Sequence, residues 1–154
     1  MPSSAIKRGI AICLLAISGV LAAQPAGNRI IQDATLDRAD GCGLLTIHFA
    51  LPMQYVSHFP TGSGQELRIQ LKPLGINRND MPALGHNEPI LVADLDKLVP
   101  LQRIDYEGQY NPNAPVINLV FDATVHFDVQ PGADFRSIRL LLSRKPLADC
   151  PIKP

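Results

Sequence analysis

From Ile117 to Val129 the chain places an apolar residue at every second position. Ile117, Leu119, Phe121, Ala123, Val125, Phe127 and Val129 share one parity. Asn118, Asp122, Thr124, His126, Asp128 and Gln130 fill the other, with Val120 the one exception. A period of two is the signal of a half-buried β-strand. The run exceeds the ~5–6 residues of an ordinary strand. Either one strand bends across two sheets, or a tight turn lies near Asp122-Ala123.

The same alternation recurs elsewhere. Leu45, Ile47, Phe49 and Leu51 oppose Thr46, His48 and Ala50 before Pro52 stops the run. Leu67, Ile69 and Leu71 face inward, with Glu66, Arg68, Gln70 and Lys72 outward and Pro73 as the stop. Ile138, Leu140 and Leu142 oppose Arg139, Leu141 and Ser143. Between these runs, Tyr55–Phe59 is shorter and less regular, and 60–64 (PTGSG) reads as a loop or hairpin turn. Residues 77–89 read as an irregular loop, 90–98 as helix or strand, 101–107 as strand-like and 108–115 as a turn-rich loop. No helical pattern is long enough for the crossovers of a parallel sheet. The expected fold is therefore all-β: an antiparallel β-sandwich or open barrel of about six to eight short strands. It occupies residues 42–150 as a single domain, behind a flexible lead-in (23–41) and ahead of a short tail (151–154).

The N-terminus carries a second message. Lys7 and Arg8 precede an almost wholly apolar run from Ile10 to Leu21, then Ala22, Ala23 and the polar Gln24-Pro25. That order is the mark of a secretory signal peptide, residues 1–22 when cleavage follows Ala22. Its loss takes Cys13 away and leaves Cys42 and Cys150 as a pair, which in an exported protein reads as a structural disulfide. No other stretch approaches the ~20 apolar residues of a membrane span. The whole chain holds 14 basic and 14 acidic residues, a balance that speaks against nucleic-acid binding. The expected location is periplasmic or secreted.

Chemistry is sparse. Ser57-His58 cannot act as nucleophile and base if the two neighbours leave an extended chain on opposite sides. No G-x-S-x-G elbow is present. Asp122, His126 and Asp128 share a strand face and are the alternative metal-ligating set, the basis for a periplasmic metal or small-ligand carrier. Met53, Met81 and His86 are residue types that suit copper, without a recognisable spacing. The main reading assigns no metal, no cofactor and no catalysis. Candidate binding residues are Tyr55, His58 and Phe59 with the outward Arg68, Arg136 and Arg139, because aromatic and guanidinium groups recur where proteins grip partners.

The segments CGLLTIHFALPMQYVSHFPTGSGQELRIQL and VINLVFDATVHFDVQPGADFRSIRLLL together resemble the AMIN-type β domains of exported bacterial envelope proteins, over residues 42–143. That resemblance implies a β-sandwich that binds cell-wall glycan or peptide, or another envelope protein. It brings no catalytic residue with it.

Overall fold

The computed structural model describes residues 29–154. The expected signal peptide, Cys13 and the first part of the lead-in lie outside the described residues. The chain is all-β. Eight antiparallel strands form one open sheet: β1 (Ile31–Ala39), β2 (Cys42–Phe49), β3 (Met53–Phe59), β4 (Ser63–Pro73), β5 (Asn87–Pro89), β6 (Leu101–Glu107), β7 (Val116–Pro131) and β8 (Ser137–Ser143). Two single-turn helices, α1 (Met81–Leu84) and α2 (Leu95–Leu98), interrupt the middle. The main path runs β1-β2-β8-β7-β4-β3, and β6 adds to β7 with β5 outside it. Among the described residues no helix is long and apolar enough to cross a membrane.

The long alternating run is one strand, and it bends. Its first half pairs with β6 from Val116↔Glu107 to Phe121↔Leu101. The second half pairs with β8 from His126↔Ser143 to Pro131↔Ile138. Both partners use the same edge of β7, so the sheet forks there. On the other edge the register with β4 jumps from Glu66↔Val120 to Gly64↔Val125. Asp122, Ala123 and Thr124 bulge out between the halves and are exposed. Ala123 therefore departs from its apolar parity: a bulge adds residues to one strand and breaks the alternation.

Inward-facing residues of every long strand meet in one core. Leu45, Ile47, Leu67, Ile69, Leu71, Ile117, Leu119, Val125, Ile138, Leu140 and Leu142 are all fully buried in it. The single turn α2 packs against β2 and β6, with Asp94 at its N-terminus. Asp94 takes ion pairs from Arg38 of β1 (2.9 Å) and Lys97 (2.6 Å), and both cations hold its carboxyl below the usual range. Gly43 faces inward on β2, and a β-carbon there would run into Leu98 of α2. Glycine lets Leu98 approach that closely, and a larger residue would need the Leu98 side chain to shift.

Three segments differ from the sequence reading. Residues 31–39, expected in the loose lead-in, form β1, joined to β2 by a two-residue turn with Asp40 and Gly41 both at positive φ. The 77–89 loop contains α1 and β5, and 90–98 holds a single helical turn. The outer face of β8 is not wet. Leu141 and Ser143 are buried because residues 144–154 fold back over them.

That return is fixed by the Cys42–Cys150 disulfide, with its Cα atoms 5.8 Å apart. A small apolar cluster forms around it from Cys42, Leu141 and Cys150, with Leu147 and Ile152 packed against them.

Candidate functional site

The hairpin β3–β4, the second half of β7 and the returning C-terminal segment enclose a groove of about 550 Å³. Each wall has a separate origin. His58, Thr61 and Gly62 come from the end of β3 and the hairpin tip. Phe127, Asp128 and Leu141 form the floor. Leu147, Ala148, Lys153 and Pro154 supply the far wall. The last group is present because the disulfide holds it there.

Behind the lining, the Tyr55 hydroxyl and Nδ1 of the groove residue His58 share a hydrogen bond of 2.6 Å. The His58 ring also meets Phe127 edge-on, centroids 6.5 Å apart. Burial, then the charge of Asp128, pushes the Tyr55 phenol above its ordinary pKa, so it stays protonated through neutral pH. Asp128 accepts a 3.2 Å hydrogen bond from Gln130 Nε2. The lining thus combines an apolar floor with one carboxylate, one ammonium and an imidazole.

A second, shallower groove of about 200 Å³ lies beside it, and His58 borders both. Ser57, Phe59, Arg68, Gln70 and Val116 complete it. Phe59 is 76% exposed. Arg68 is held by Glu107 (3.2 Å) and Glu66 (3.4 Å), and Glu107 also accepts from Asn118 Nδ2 (3.1 Å). Glu66 lies two residues before Arg68 on the same strand, and Glu107 of β6 is the closer partner.

Four of the six candidate binding residues therefore gather around β3: Tyr55, His58, Phe59 and Arg68. His58, Phe59 and Arg68 line a groove and Tyr55 is bonded to His58, whereas Arg136 and Arg139 line neither groove. Arg136 donates through Nη1 to the Ala50 carbonyl (2.8 Å) and ties the β7–β8 turn to the end of β2. Arg139 lies on the outward face of β8, as alternation implied, but is not free there. It is half-buried on β8 between Thr46 and Gln130, and its Nε is covered without a hydrogen-bond partner.

The alternative metal set does not assemble. Asp122 sits on the bulge and accepts a hydrogen bond from Gln102, while Asp128 lies in the groove. Among the described residues no group of three or more His, Cys, Asp or Glu side chains is placed to hold a metal ion. The copper-suited residues are dispersed as well: Met53 is buried in the core, Met81 lies on α1, and His86 pairs with Glu88 at 3.4 Å.

Sequence reading missed two features. Lys153 lies in a segment expected to be a bare tail, and nothing local marks it as a wall of a groove. Glu88, 6% exposed, is the one buried acidic side chain among the described residues. Its Oε2 accepts the Ile30 backbone N–H (3.0 Å) and its Oε1 pairs with Arg29 Nε (3.2 Å). Tyr106 beside it has its phenol pushed up by burial, then by the Glu88 charge, and donates to the Leu84 carbonyl (3.0 Å). This carboxylate has its acceptor sites taken up in latching β5 to the entry of β1, which is a structural duty.

Compared with family models, with curated proteins and with solved structures, the chain matches none.

Proposed function

We propose that the protein is a non-catalytic binding module of the bacterial cell envelope, exported to the periplasm or beyond, which holds cell-wall material in the groove closed by its C-terminal segment. The observation that supports this most is the composition of that groove. It offers an apolar floor, a few convergent polar groups and a size within the ~300–1,000 Å³ typical of ligand sites. Its side chains lack a nucleophile paired with a base, so they suit holding rather than reaction. A disulfide that shapes the groove requires an oxidising compartment, which agrees with the leader-like N-terminus. The envelope as destination rests further on the resemblance of residues 42–143 to AMIN-type domains.

Co-sedimentation with purified peptidoglycan sacculi tests the reading. The oxidised protein is expected in the pellet. Ala148→Trp, an exposed position on the groove wall, is expected to leave it in the supernatant by filling the space without touching the core. Wild-type protein that stays in the supernatant, or an Ala148→Trp variant that pellets equally, would overturn the proposal.

A further inference from the structure

We infer that the groove takes a short peptide with free charged ends, laid along the open edge of β7, rather than a glycan. This rests on the groove being the binding site and names the chemistry of what fills it. Three observations converge.

The first is charge. Asp128 and Lys153 contribute opposite charges to one lining. A neutral sugar can hydrogen-bond to both but would leave both charges uncompensated, whereas a peptide end offers a carboxylate to the ammonium and an amino group to the carboxylate. Lys153 has no ion-pair partner among the described residues and is exposed.

The second is the aromatic content. Sugar binding commonly relies on an aromatic face that a ring can stack upon, and the groove presents none freely. Phe127 is 1% exposed, and Tyr55 is turned to His58 by their hydrogen bond. The freely exposed aromatic nearby, Phe59, belongs to the neighbouring groove.

The third is backbone. The pairing of β4 with β7 ends at Ser63↔His126, and the Phe127 N–H makes a last bond to the Gly62 carbonyl (2.8 Å). Beyond that point no strand among the described residues pairs with this edge of β7. Alternation turns the Val129 N–H and C=O to the same side as the Phe127 N–H. An extended peptide can continue the sheet there, as in strand-addition recognition.

Titration of the isotope-labelled, oxidised protein with three probes tests this: tetra-alanine with free ends, the same peptide acetylated and amidated, and chitotetraose. Free tetra-alanine is expected to shift the amides of residues 127–130 and 147–153. Blocking both ends should weaken binding about tenfold, and Lys153→Ala should weaken the free peptide by less than that while narrowing the gap between free and blocked peptide. Chitotetraose should leave those amides unmoved. Equal binding of free and blocked peptide, or millimolar free peptide without shifts, overturns the inference. Shifts from chitotetraose in place of the peptide overturn it too, yet leave the cell-wall reading standing.

Discussion

The two halves of β7 share one alternating pattern and have different surroundings. Residues 116–121 are flanked by β4 on one edge and β6 on the other. Residues 127–131 have β8 on one edge and, among the described residues, no paired strand on the other. The first half is therefore scaffold, with its backbone groups engaged on both sides and its outer face closed by the Arg68–Glu107–Asn118 network. The second half keeps one edge and a patch of outer face free, and there the groove forms. A strand can be equally regular in side-chain pattern along its length and still divide into a part that stabilises and a part that is available.

The sharpest way to break this contrast is to damage the scaffold half. Leu119→Asp puts a carboxylate into a fully buried position without a partner, a cost of several kcal/mol that a domain of this size does not survive. No cooperative unfolding transition is expected by circular dichroism. A folded Leu119→Asp protein would show that the first half is not the scaffold.

Next in size is Cys150→Ser. The hydrogen bonds at the 147–149 turn are local, Asp149 N–H to Pro146 and Cys150 N–H to Leu147, so the bridge and its small apolar cluster hold this segment down. The expected loss is ~2–4 kcal/mol in denaturant unfolding, with rapid proteolysis after Ser143. The sheet should persist while peptide binding disappears, which separates the groove from the scaffold. Retention of wild-type peptide affinity would show that the far wall is dispensable.

The smallest effect is expected from Arg68→Ser. Its guanidinium is half-exposed, and pairs of that kind contribute at most ~1 kcal/mol. A larger loss of stability would mean that the outer network is part of the scaffold's strength rather than its covering.

Most of the sheet was legible because alternation reports directly on one buried face: β2, β4, β7 and β8 each show it. β1 was not, since an edge strand needs little apolar content to pair, and QDATLDRA buries almost nothing along its length. The signal that would have found it is Asp40-Gly41, the dipeptide favoured in two-residue hairpin turns. Arg139 and Leu141 lie on the face that alternation assigned, but their cover was not legible, because alternation predicts a sheet's two faces and not what other segments lay over one of them. The site was legible only in part for a related reason. Tyr55, His58 and Phe59 are neighbours in sequence, but Asp128 and Lys153 are brought to His58 by strand pairing and by a covalent bond, neither of which leaves a local pattern.

The separation of 108 residues between Cys42 and Cys150 has a bearing on the order of events during synthesis. The first thiol emerges with β2 and must wait for nearly the whole sheet before its partner follows. No other cysteine lies between them, so intramolecular mispairing within this stretch has no available route. The groove consequently matures last: a partly made chain presents its strands before the far wall of the groove exists.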